Sequence, residues 1–545
     1  MKLALLSITL LAHCAPISLA QTSFRVVLDP AARSSPASGR IVLGLIRQGA
    51  KVSPDAKPID GPFWDDPQPL FGIDADLKPG EGATVNDKAT ASIVPTSQLK
   101  PGTYRVQARM RTNFADSNWR REAGNLWSDE VTFTIPEIDY ATKPRTVELR
   151  LTHVVAPEQP PKAQGVEWFT VRSKLLSDYR KREVVLRAGV VLPSNLDPGK
   201  KYPAIYEVPG FGGNHLAAAG HARRAKDAKP GSDDARLAAA AFWIVLDPEG
   251  PNGHTLFADS ANNGPCGEAL VKELIPALEA KYQLVSAPTA RLLRGHSSGG
   301  WSTLWLAITH PETFGATWST SPDPVDFSRF QLVDIYTQQN LYQVDLPDAR
   351  SGEKSDPRNL RRFFAPDCHL PALTPRGPVQ VASYRSGGRA VMSNRTENLG
   401  EEVLGPDNTS GQQWDSWMAV FAPRNAGGHP QALYDPILGM IDHAVAERFR
   451  KYDIGELVRK EPKRLGAIFR DTVRLAVGDK DSFFLNEAVT LLAAELGKTS
   501  RDSLVTDGYI KVLPGYDHGS IFQSSELRAF PQDMLTHLRR QKLAE

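Results

Sequence analysis

Hydrophobic and polar positions follow two different rhythms along the chain. From residue 22 to 155, short runs at 24–29, 39–46, 102–108 and 130–135 are rich in apolar and β-branched side chains, and clusters of Pro, Gly and Asp separate them. Such runs pack on a pleated surface, so this stretch is expected to be all β. The segment Pro157-Glu-Gln-Pro-Pro161 then breaks the pattern and reads as a linker. From Val166 the rhythm changes. Apolar runs at 184–193, 202–208, 240–247, 289–293, 314–321, 472–478 and 509–514 read as buried strands, with helical spacing at 268–282, 304–308 and 486–496 between them. Strands that alternate with helices imply a doubly wound, largely parallel sheet over residues 166–545.

The stretch 322–465 falls outside this alternation. Residues 361–375 and 423–433 look irregular, whereas 436–452 and 454–465 look helical. Far fewer residues suffice to join two strands, so the excess reads as a cap inserted over a substrate pocket. Tyr384, Arg385, Arg395, Trp414 and Trp417 are its candidate pocket contacts, though a structural role suits each of them better. Asn394 and Asn408 open glycosylation sequons, which matter only on a eukaryotic secretory route. In the β stretch, Leu99-Lys-Pro-Gly-Thr-Tyr104 resembles the turn into a strand of an immunoglobulin-like sandwich. Trp64, Trp119 and Trp127 read either as core or as a sugar-binding platform.

Composition sets the outer bounds. A chain of 545 residues calls for two or three domains. The 64 Lys and Arg nearly balance the 62 Asp and Glu, and no long basic run occurs, so nucleic-acid binding is not suggested. Residues 1–20 have the make-up of a secretory signal: Lys2, an apolar core from Leu3 to Ala12, and Ser18-Leu19-Ala20 before Gln21. The apolar run is too short for a stable membrane span, and His13 before Cys14 fits a lipoprotein signal poorly. The expectation is a soluble protein that is secreted or periplasmic. Cys266 and Cys368 then remain, free to pair in an oxidising compartment or to stay as separate thiols. No Cys/His spacing points to a metal.

The chemistry centres on Gly295-His296-Ser297-Ser298-Gly299, between a short apolar run and Leu304, Trp305, Ala307 and Ile308 at helical spacing. A G-x-S-x-G between strand and helix is a nucleophile elbow. Its glycines avoid collisions in a very tight turn, and its serine sits at a helix N-terminus that favours developing negative charge. The acid and the base follow in the order Ser, Asp, His. Asp481 lies just past the strand 472–478, with Asp479 and Asp323 as rivals. His518 lies in the loop Gly515-Tyr-Asp-His518-Gly after the last strand. His215, His221 and His254 fall in loops facing the site, where structural roles suit them better, and the position of His296 directs its ring elsewhere. The glycine-rich loop after residue 208 supplies the remaining oxyanion donors, with the N–H groups of Phe211, Gly212 and Ser298 as candidates.

At these residues the chain resembles the esterase D-like and feruloyl esterase-like family of α/β-hydrolases, which also includes siderophore esterases and mycolyltransferases. The matching pieces are Tyr202-Pro-Ala-Ile-Tyr, Pro209-Gly-Phe-Gly-Gly, Gly295-His-Ser-Ser-Gly-Gly, His310-Pro-Glu-Thr-Phe, Ser319-Thr-Ser-Pro, Gly478-Asp-Lys-Asp and Asp517-His-Gly. The resemblance implies an α/β-hydrolase with a large cap, preceded by the β-sandwich, and hydrolysis of carboxylic esters without a cofactor. Pro209 stands where the family carries a histidine in the oxyanion loop. The reading is an exported serine esterase that removes acyl or feruloyl groups, with polysaccharide as a substrate class and the β domain as a spacer or carbohydrate contact. An acyltransferase with the same triad, and an inactive carbohydrate-binding surface protein, are the alternatives.

Overall fold

The structure, a computed structural model, describes residues 22–137, 145–344, 379–499 and 508–544. The leader, Cys368 and the stretch 361–375 lie outside the described residues.

Nine strands build the N-terminal sheet: β1 (Thr22–Leu28), β2 (Ala37–Arg47), β3 (Leu70–Leu77), β4 (Gly82–Val85), β5 (Thr90–Ala91), β6 (Gly102–Arg111), β7 (Leu126–Ser128), β8 (Val131–Ile135) and β9 (Arg145–Val154). They bond in the order β4-β1-β9-β7-β6-β2-β3-β5, and β8 pairs with β6. The expected β-rich domain is present, and its strands bond in one continuous path. The reason is the length of β6, which bonds β8 along residues 102–106 and β7 along residues 109–110. Alternation along β2 sends Ile41, Leu43 and Leu45 into a core with Phe24, Phe71, Val106 and Leu149. Val42 points the other way and packs on Val403 and Leu404 of the cap.

The second sheet holds β10 (Val166–Arg172), β11 (Val185–Val191), β12 (Ala204–Val208), β13 (Phe242–Leu246), β14 (Arg291–His296), β15 (Ala316–Thr320), β16 (Val473–Gly478) and β17 (Tyr509–Leu513). Its order is β10-β11-β13-β12-β14-β15-β16-β17. The first two pairings are antiparallel and the rest parallel. Parallel strands are covered on both faces, which is why β13 reads as an unbroken apolar run and β15 and β16 are buried along their whole length. The edge strand β10 alternates Glu167, Thr170 and Arg172 with Phe169 and Val171, so no such run marks it. The helical stretch at 268–282 is interrupted by a π segment at Leu270–Leu274. Pro276 has no N–H and its ring would strike the carbonyl four residues back, so the turn widens there.

The cap shares its core with this sheet: Phe327, Phe330, Trp414, Trp417, Phe421 and Phe449 lie in one cluster with Trp301, Val473 and Leu475. Helix α1 (Ser298–Thr309) follows the elbow; α2 (Asn394–Leu404) and α3 (Gln413–Phe421) belong to the cap. The helix expected over 436–452 is confined to His443–Phe449, capped by Asp442. The one expected over 454–465 splits into Ile454–Lys460 and Pro462–Thr472, because Pro462 suits a first turn and not an interior. Neither sequon asparagine is free for a glycan: Asn394 donates to Leu341 O and Asn408 to Pro430 O, both from buried positions. Cys266 is a free, buried thiol. No helix among the described residues is long and apolar enough to cross a membrane.

Candidate active site

The elbow follows from sterics. A Cβ on Gly295 would lie 2.1 Å from Gly299 O, and one on Gly299 would lie 1.9 Å from Val208 O. Ser297 itself has φ 59° and ψ −126°, a conformation rare outside glycine. Such strain costs about 1–3 kcal/mol and persists only where neighbours over-determine it. Here Ser297 N–H donates to Thr320 O at 3.0 Å, and Ser297 O accepts from Asp323 N–H at 3.3 Å. The turn leaves Ser297 on the wall of a pocket that His518 also lines. Ser297 Oγ makes no hydrogen bond among the described residues; catalytic contacts of this kind often tighten only around substrate.

Past the end of β16, Asp481 Oδ2 lies 2.7 Å from His518 Nδ1. The other oxygen, Oδ1, accepts from the N–H groups of Phe483 and Leu485 at 3.0 and 3.3 Å. The two rivals are committed elsewhere. Asp479 Oδ1 accepts from Gly515 N–H at 2.7 Å. Asp323 Oδ2 accepts from Trp417 Nε1 and Ser298 Oγ, both at 2.7 Å. Burial pushes the Asp481 carboxyl up, but the charge and hydrogen bond of His518 outweigh it and hold it below the usual range. For His518, burial pushes the imidazole down and the Asp481 carboxylate more than reverses that, so it ends above its ordinary value. Burial lifts Asp323 to about 6 against its hydrogen bonds.

The oxyanion candidates lie at the same place. Phe211 and Gly212 line the pocket beside Ser297, and Ser298 opens α1. The N–H groups of Phe211, Gly212 and Ser298 have no acceptor among the described residues. Donors aimed at a developing oxyanion are each worth about 3–4 kcal/mol of transition-state stabilisation. His254 holds the loop from beneath: its Nε2 donates to Pro209 O at 2.9 Å, and its Nδ1 accepts from Leu256 N–H at 3.1 Å. Burial lowers it to about 4, so it stays neutral in this role.

Among the other residues, only His296 departs from expectation. The ring of His296 lies 4.4 Å from that of His518, not turned away, because the elbow's backbone aims it at the loop after β17. His215 lies 2.9 Å from Asp247 and His221 pairs with Glu207, and neither lines the pocket. Arg385 reaches the acid's own backbone, donating to Asp481 O at 2.8 Å. Trp417 lines the pocket, Trp414 is core, and Tyr384 packs on Trp64.

The pocket measures about 620 Å³ and has three walls. The second sheet contributes Phe211, Ser297 and His518, and the cap contributes Gln331, Gln413 and Trp417. The third wall comes from the N-terminal sheet and its loops: Trp64, Arg109, Arg111, Trp119 and Arg120. A spacer role for that sheet is thereby overturned, since it docks on α2 with its loops over the site. Of the three tryptophans, Trp64 and Trp119 line the pocket, whereas Trp127 stacks on His153 at 3.9 Å. The local sequence carries no signal for this wall, because neither strand pattern nor motif reports which sheet a loop will cover.

Comparison with known proteins places the chain. The profile of the family described as "Putative esterase" matches residues 183–524, more than half of the chain. Among solved structures, it is similar to a ferulic acid esterase at 15% identity and TM-score 0.37, over 68% of this chain and 98% of that one. It is similar to an S-formylglutathione hydrolase from Agrobacterium tumefaciens at 14% identity and TM-score 0.34, over 70% and 97% of the two chains. The CE1 ferulic acid esterase of Anaeromyces mucronatus, in complex with ferulic acid, stands at 13% identity and TM-score 0.30, over 68% and 93%. No curated protein sequence matches the chain. The chain belongs to the Esterase family, with the fold of an α/β-hydrolase and the hydrolysis of carboxylic esters as its chemistry.

Proposed function

We propose that the chain is an exported serine esterase working through Ser297, His518 and Asp481. The observation that carries the reading is the 2.7 Å contact of His518 Nδ1 with Asp481, on a histidine lining the same pocket as the strained Ser297. Asp481 fixes the tautomer that leaves Nε2 free to accept the Ser297 proton as Oγ attacks the acyl carbon. The N–H groups of Phe211, Gly212 and Ser298 receive the oxyanion. Collapse of the tetrahedral intermediate breaks the bond to the alcohol, which leaves with the proton from His518. The acyl-enzyme is then attacked by water, His518 again taking a proton, and Ser297 is restored.

The proposed division of labour is a β domain over residues 22–155 and a catalytic domain over 166–545, with the cap at 322–465 inserted in it. A pocket of about 620 Å³ suits a substrate larger than a simple acetate ester, and acyl or feruloyl groups on polysaccharide are the substrate class offered. Ser297→Ala is expected to lower p-nitrophenyl acetate turnover by a factor of about 10⁴ or more and to abolish labelling by a fluorophosphonate. Retention of either by the folded variant would overturn the assignment of the nucleophile.

A further inference from the structure

The wall supplied by the N-terminal sheet carries one arginine with no ion-pair partner among the described residues. Four arginines line the site. Arg111 pairs with Glu122 at 2.9 Å. Arg120 pairs with Asp60. Arg121 sits among Asp116, Glu158 and Asp247 at 3.0–3.3 Å, and its guanidinium is pushed above its ordinary value. Arg109 has no carboxylate partner among the described residues. Its Nη1 donates to Ile59 O at 3.0 Å, and its guanidinium lies over the Trp119 ring, 5.1 Å from the centroid. Burial, then the charges of Arg120 and Arg111, bring it down to about 9 against the weaker pull of Asp60, the opposite direction to Arg121.

No acidic group lining the pocket forms an ion pair with Arg109 among the described residues, and Asp60 attracts it only from further off. Asp60 is held by Arg120 and by Lys57 N–H. Asp323 already accepts from Trp417, Ser298 and Gln413. Glu249 accepts from Ser117 Oγ, and burial lifts it to about 8, which favours its neutral form. A buried cation without a counter-charge is costly, and it persists where a ligand supplies the missing charge. The fork of a guanidinium, braced from one side by an aromatic ring, matches a carboxylate with two parallel hydrogen bonds.

We propose that Arg109 binds a carboxylate on the substrate, so that the preferred esters are anionic: half-esters of dicarboxylic acids, or esters of alcohols that carry an acid group. The inference rests on the serine-esterase reading and names the substrate class of the same site.

The test compares p-nitrophenyl hemisuccinate with its neutral counterpart, p-nitrophenyl methyl succinate, on the full chain. The wild-type kcat/KM is expected to favour the anionic ester by about tenfold to a hundredfold, the range of a charge-assisted hydrogen bond. Arg109→Met should collapse that ratio to about one, mainly through KM, while Arg109→Lys, which keeps the charge and loses the fork, should fall between. The ratio is read within each variant, so a loss of folded protein does not move it. Succinate should inhibit the wild type competitively and the Arg109→Met variant at least about tenfold more weakly. A wild-type ratio of one or less, or a ratio unchanged by Arg109→Met, overturns the anion proposal while leaving the esterase in place. Turnover of neither ester by folded wild-type protein overturns the underlying reading instead.

Discussion

Asp481 and His518 show how much one contact decides. In the proposed triad the imidazole must be neutral to accept the Ser297 proton, and its folded pKa is raised above 6.5 because the Asp481 carboxylate outweighs burial. Activity therefore climbs with pH through an acid limb whose midpoint lies above the ordinary histidine value, and is lost as pH falls below it. Asp481→Asn removes the charge and reverses the tautomer. It is expected to lower kcat by about 10⁴ and to move the limb to lower pH, read from a kcat/KM–pH profile. The pair's identity was legible in the chain, because a carboxylate and a histidine each follow a strand in a short loop. The proposal of Asp481 over Asp479 rests on direction. Asp479 turns back to cap Gly515 N–H, and Asp481 turns to the ring. The closeness of His296 to His518 was hidden, since one φ angle at the elbow decides where its ring goes.

Among the elements, α2 and α3 of the cap hold the least expected feature. Burial lifts Glu397 and Glu402 to about 7 and Asp415 to about 6. Burial, then the charges of Asp415 and Glu397, lift Glu401 well above its ordinary value. Glu401 also receives the N–H groups of Trp414 and Asp415 at 3.0 and 2.9 Å, tying the two helices together. These groups keep protons in the folded state that the unfolded chain releases above about pH 4.5. Their contribution to folding stability consequently falls as pH rises above about 4.5, by ~1.4 kcal/mol per pH unit for each retained proton, until each group has titrated in the folded state. The melting temperature should decline over that window, and Glu401→Gln should make the decline shallower. A flat profile would contradict the assignment. Helix α2 went unread because Asn394, Glu397, Asn398 and Glu401 are buried polar residues that erase its apolar stripe.

At the scale of the molecule, the N-terminal sheet and the cap are joined by Arg40. Its Nε donates to Val403 O at 3.0 Å and its Nη2 to Glu402 O at 3.1 Å, while Nη1 pairs with Asp74. These bonds close the last turn of α2, whose carbonyls otherwise lack donors. Arg40→Ala strips both and leaves buried acceptors unpaired, a loss of about 1–3 kcal/mol visible as a lower melting temperature. The same change should raise KM more than it lowers kcat. The wall bearing Trp64, Arg109 and Trp119 would shift, whereas the triad stays on the second sheet. An unchanged KM in a destabilised variant would separate the docking from the pocket.

Local spacing along the chain was enough for the tight turn at Ser297, the buried strands of the second sheet, and the proposal of an acid and a base beyond them. All of these obey short-range rules of sterics and periodicity, where a few adjacent residues carry the whole constraint. What only the tertiary structure decided is the pocket itself. Its third wall comes from a sheet more than a hundred residues upstream of Ser297, seated on a helix whose polar residues turn inward. The charge on Arg109 becomes meaningful only once its neighbours' counter-ions are accounted for in space. Burial and charge balance are sums over the folded surroundings, and no window of sequence contains them.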